Sequence, residues 1–116
     1  MKTWDLHCHL SGVPGDPPEE RMARLVEIAS RMGIERLCVY MGLQCSKDPA
    51  PEKLRRENDE VLRAIEKFPD RTFGFVYVNP KHVEASHRFL CNIRNPAQHI
   101  VLPSLYLLAD PPLVTR

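Results

Sequence analysis

A chain of 116 residues, 43% hydrophobic and 27% charged with a formal net charge of +1, has the balance of one globular domain and falls well short of the roughly 250 residues of a closed α/β barrel. The near-neutral charge gives no electrostatic ground for expecting nucleic acid or an anionic membrane as partner. The opening MKTWDLHCHL lacks the apolar run of a secretory signal, so a cytoplasmic protein is expected, with Cys8, Cys38, Cys45 and Cys91 as reduced, buried thiols that lack the paired spacing of a structural zinc site.

Residues 2–10 read as a strand in which Asp5, His7 and His9 share one face and Trp4, Leu6, Cys8 and Leu10 the other. After a loop with two glycines, Asp16-Pro17-Pro18-Glu19 predicts a helix start with a capping aspartate. Met22, Leu25, Val26, Ala29 and Met32 then form one apolar stripe ending at Gly33. Residues 34–41 (IERLCVYM) have the composition of a buried parallel strand. From 51 to 68 a second amphipathic helix places Leu54, Val61, Leu62, Ile65 and Phe68 inward. Its Glu57, Glu60, Arg63 and Lys67 face solvent, and Arg55 and Arg56 add to that solvated face. TFGFVYV at 72–78 is a third strand, closed by Asn79-Pro80.

Strand, helix, strand, helix, strand at this spacing predicts two right-handed crossovers and a parallel sheet, with His9, Met41 and Val78 at its carboxyl rim. Trp4 and Phe73 are expected in the core. The pattern then changes. Of 16 basic and 15 acidic residues, only four lie in the last thirty positions, which hold no lysine and no glutamate. Pro96, Pro103, Pro111 and Pro112 interrupt any helix there, and residues 100–108 are too few to span a bilayer. Two parts are expected: a barrel-like portion over 1–86 and an atypical, irregular tail over 87–116.

The chemistry centres on DLHCHLSG, residues 5–12. Two histidines at alternate positions of one strand are roughly 7 Å apart at the backbone, close enough for both rings to reach one ion at about 2.0–2.1 Å per bond. The plain alternative is a pair of half-exposed polar residues. Asp5 is a candidate second-shell partner or further ligand. Asn79, at the end of a rim strand, is a candidate for a substrate hydrogen bond or an ordinary turn starter. His82 reads as a loop or helix-start residue, and His87 and His99 receive no role.

DLHCHLSG together with RENDEVLRAIEKFPDRTFGFVYVNP, residues 56–80, resembles the amidohydrolase superfamily, in particular its amidohydrolase-related branch of metal-dependent hydrolases and decarboxylases. The resemblance covers about residues 2–86. It implies a TIM-type (β/α)₈ barrel with one or two divalent metals at the carboxyl rim, here Zn²⁺ or alternatively Mn²⁺ or Fe²⁺, and His7 and His9 as first-strand ligands. The family's other ligands come from the fourth, fifth, sixth and eighth strands and have no counterpart in this sequence. The chain is therefore expected to be the amino-terminal part of an incomplete barrel, truncated or shifted out of frame near Ser86.

The resemblance implies a metal-dependent hydrolase acting on a carbon–nitrogen or carbon–oxygen bond of a small molecule. A decarboxylase of the same branch and a non-catalytic fragment are the alternatives. Metal-dependent phosphoesterases and deoxyribonucleases share an Asp-x-His-x-His start, but TFGFVYVNP favours the amidohydrolase-related branch, and the chain has no surplus of basic residues for phosphate. A homo-oligomer is compatible with the sequence.

Overall fold

Helix and strand alternate as the periodicity predicts. The computed structural model describes residues 1–41, 49–85, 87 and 99–103. Its elements are β1 (Trp4–His9), α1 (Pro18–Arg31), β2 (Arg36–Tyr40), α2 (Pro51–Glu66), β3 (Thr72–Val78), a 3₁₀ turn (Pro80–His82) and β4 (His99–Pro103). The strands lie in the order β1-β2-β3-β4, every neighbouring pair parallel. The class is α/β with a parallel sheet.

β4 departs from the expectation of an irregular tail. Its HIVLP segment pairs along residues 74–78 of β3. Counting prolines obscured this short β-branched run, yet Pro103 occupies its last position, where a missing N–H disturbs the ladder least. The expected break at Ser86 and the remainder of the tail, 88–98 and 104–116, lie outside the described residues, as do Cys45 and Cys91.

Apolar spacing accounts for the main core. Cys8, Leu10, Leu37, Val39 and Met41 from the first two strands and their exits meet Met22 and Ala29 of α1 and Val61, Ala64 and Ile65 of α2. Burying a side chain such as Ile65, 1% exposed, stabilises by about 1.5–3 kcal/mol. The helices are tied to each other at the surface by Arg63, whose Nη2 donates to Glu19 Oε1 at 3.0 Å.

Several local expectations are corrected. Asp16 does not cap α1: the cap position is Pro17, with no side-chain cap bond, and Pro18 fills the first turn. Met32 is 69% exposed because α1 ends at Arg31, before the stripe comes round again. Glu57 is buried, with Lys53 Nζ 3.9 Å from its carboxylate. Trp4 is 44% exposed. It stacks on Phe73 at 5.3 Å, and the Arg36 guanidinium lies 5.1 Å from its ring centre.

At the amino ends of the strands Arg71 closes the turn after α1. Its Nε donates to Glu35 O at 2.7 Å and its Nη2 to Ile34 O at 3.1 Å. Gly33 makes that turn with φ +73°, a conformation side chains disfavour. These contacts hold the start of β2 and so fix where its far end, Tyr40, emerges.

Candidate metal centre

The carboxyl ends of β1 and β2 are in register, with His9 opposite Tyr40. The pairing continues beyond the strands, Leu10 N–H donating to Tyr40 O and Ser11 N–H to Met41 O, both at 2.9 Å. Side chains of paired residues stand next to each other on one face. His9 and Tyr40 therefore meet at the rim of the sheet, the end of a parallel sheet at which α/β proteins place their ligands.

His7 reaches the same point through an irregularity. Asp5 pairs with Leu37 but Cys8 pairs with Val39, so β1 spends three residue steps where β2 spends two. Such a bulge bends and twists a strand. It corrects the simple alternation predicted for residues 5–9, since Asp5 and His9 no longer stand in one unbroken row. Asp5 Oδ1 accepts the backbone N–H of His7 at 2.9 Å, and no hydrogen bond joins Asp5 to either imidazole among the described residues. The carboxylate braces the bulge.

Around this rim, His7 Nε2 and His9 Nε2 are 3.0 Å apart. Tyr40 Oη lies 2.5 Å from His9 Nε2 and 2.6 Å from His7 Nε2. It is also 3.1 Å from His7 Nδ1, so the hydroxyl sits alongside the His7 ring and not at its tip. His7 is exposed, His9 half-buried and Tyr40 3% exposed. Burial, and then the neighbouring His7, lower the pKa of His9, with Asp5 opposing them. His9 is thus held neutral at neutral pH, the form in which an imidazole is a ligand. Burial also raises the Tyr40 pKa, so the free phenol keeps its proton.

Two imidazoles whose nitrogens stand 3.0 Å apart fit the donor set of a divalent transition metal, to which each would bind at about 2.0–2.1 Å. No group of three or more histidines, cysteines, aspartates or glutamates suited to a metal occurs among the described residues. Tyr40 was missed by sequence reasoning. The signal was present in the strand ends: counting back from the carboxyl end of each strand sets Tyr40 beside His9.

The remaining predicted positions lie elsewhere. Asn79 is buried, its Nδ2 donating to Pro49 O at 3.3 Å and its Oδ1 accepting from Lys81 N at 3.0 Å, so its side chain organises the turn after β3. His82 closes the 3₁₀ turn, its N–H donating to Asn79 O at 2.9 Å. His99 opens β4.

Cys8 lies between the two histidines in sequence but packs into the core on the other side. Burial, followed by Asp5 and Cys38, pushes its thiol up to about 11 from 9.0. The thiolate is the reactive form. Cys8 in the folded chain is therefore expected to resist iodoacetamide at pH 8, its alkylation rising about tenfold per pH unit toward 11. Peptide mapping by mass spectrometry checks this, and fast modification of Cys8 at pH 8 in folded protein would contradict it.

No helix among the described residues is long and apolar enough to cross a membrane. Comparison of the chain with protein-family models, curated proteins and solved structures gave no match.

Proposed function

We propose that the chain carries the first-strand part of the active centre of a cytoplasmic, metal-dependent hydrolase of amidohydrolase type, acting on a carbon–nitrogen or carbon–oxygen bond of a small molecule. The observation that carries this is the approach of His7 Nε2 and His9 Nε2 to 3.0 Å at the carboxyl rim of a parallel sheet. The two ring nitrogens stand at hydrogen-bonding distance, converging on a point where a cation could take the place of the proton between them.

On this reading β1 to β4 are consecutive staves of a barrel, and the aromatic face bearing Trp4, Phe73 and Tyr40 is its inner side. His7 and His9 hold a divalent ion, zinc being the first choice for two imidazoles. A bound ion supplies Lewis acidity and lowers the pKa of water at neutral pH. His9, held neutral by burial, keeps a lone pair on one of its ring nitrogens, while the Asp5 carboxylate fixes the His7 backbone.

The test is zinc stoichiometry. Chain stripped with a chelator and dialysed against low micromolar zinc is expected to retain one ion per chain by elemental analysis. Retention of no more than trace zinc would overturn the proposal.

A further inference from the structure

We infer that Tyr40 is itself a metal-binding residue, its phenol oxygen serving as the third protein donor, with His7 Nε2 and His9 Nε2, for one divalent transition-metal cation. The inference rests on the metal reading of the histidine pair and adds a ligand to it. His7, His9 and Tyr40 come from two neighbouring strands, so one ion would join the carboxyl ends of β1 and β2.

Geometry supplies the first argument. The three donor atoms are separated by 3.0, 2.5 and 2.6 Å. Donors at about 2.0–2.1 Å from one tetrahedral ion stand about 3.3–3.4 Å apart. The two nitrogens need to open by about 0.3 Å, and the oxygen needs to withdraw by about 0.8 Å. His7 is exposed and has room to turn its ring so that Nε2 faces the shared point.

Hydrogen accounting supplies the second. The phenol oxygen and one nitrogen of each ring all lie within hydrogen-bonding distance of one another, so three atoms able to offer a lone pair share the protons between them. One cation would take a lone pair from all three atoms at once. When the oxygen–metal bond forms, the O–H bond breaks and its proton passes to solvent, so the phenolate brings one negative charge to the site.

Packing supplies the third. Tyr40 is 3% exposed. Its ring is held edge-on by Tyr77 at 5.5 Å and by Phe75 at 6.1 Å. The hydroxyl is therefore aimed by the sheet and not by the histidines. No set of three or more histidines, cysteines and carboxylates competes for this role among the described residues.

The experiment is a zinc titration of the metal-free, full 116-residue chain at neutral pH, followed by ultraviolet difference spectroscopy and by equilibrium dialysis. Zinc is redox-silent and colourless, so a difference spectrum of phenol becoming phenolate reports tyrosine coordination directly. One tyrosinate per bound zinc is expected. Tyr40→Phe, which keeps the ring packing, should abolish that spectrum and weaken zinc binding by at least about 10- to 100-fold, the range found on removing even an outer partner of a metal ligand. Tyr77→Phe should retain the spectrum, and circular dichroism verifies that each variant folds. Zinc bound without a tyrosinate spectrum, and equally tightly by Tyr40→Phe, would overturn the assignment of Tyr40 while leaving the histidine pair as the site. Failure of the parent chain to bind zinc would overturn both readings.

Discussion

Replacing His7 and His9 together by alanine is expected to lower zinc affinity by at least about 100-fold while leaving the fold in place, because it removes both nitrogen donors of the candidate centre. The loss should be confined to binding. His7 is exposed and His9 half-buried at the strand end, whereas Cys8 and Leu10, the neighbours that enter the core, are untouched. The pH dependence has a definite sign. A proton competes with the metal for Nε2, and His9 has its pKa lowered from 6.5. Zinc should therefore be held at neutral pH and released as the pH falls below the ordinary histidine range, with proton uptake on release. Elemental analysis of the dialysed variant, with circular dichroism as the check on folding, decides the matter. A variant that is folded and still holds zinc as tightly as the parent would remove His7 and His9 from the site.

Asn58→Ala should destabilise the chain by about 2–4 kcal/mol, a large share of the roughly 5–15 kcal/mol available to a small domain. Asn58, 4% exposed, sits on α2 at the place where β2 and β3 stop pairing. Its Nδ2 donates to Tyr77 O at 2.8 Å and its Oδ1 accepts from Tyr77 N at 3.0 Å. Residues of a parallel strand direct both backbone groups to the same side, so one carboxamide does for Tyr77 what a neighbouring strand would do. Alanine leaves a buried N–H and a buried C=O without that partner. Urea unfolding monitored by circular dichroism measures the change, and a loss under about 0.5 kcal/mol would show that water or a shifted β2 replaces the amide.

Period and composition made the helices and the first three strands legible. Leu54, Val61 and Ile65 recur at helical spacing and all are buried. TFGFVYV is a strand over the predicted residues. Departures occur where a tertiary contact outweighs the local pattern. Glu57 has the spacing of a solvent-facing residue, yet it is buried on α2 with Lys53 beside it. Trp4 has the character of a core residue, but it is 44% exposed and packs against Phe73 and Arg36.

Within the site, the nearness of His7 to His9 could be read from their spacing; the part played by Asp5 could not. Strict alternation sets Asp5 in their row, and only the register between β1 and β2 shows the surplus residue that ends the row. Tyr40 has no fixed distance in sequence from the histidines, and only alignment of the two strand ends sets it beside His9. Asn58 was hidden for a different reason: a polar residue on a helix reads as solvent-facing until the sheet beneath it is seen to part.

The bulge in β1 divides that strand into two segments that tolerate length changes differently. Its surplus lies between Asp5 and Cys8, with Leu6, 63% exposed, among the residues there. Removing one residue at that point would bring β1 and β2 back into step without moving Cys8, Leu10 or the His9–Tyr40 pair. Removing one residue after it would turn Leu10 out of the core and His9 away from Tyr40, since a shift of one position reverses every side chain of a strand. The surplus residue is thus open to deletion, and the count from Cys8 onward is fixed.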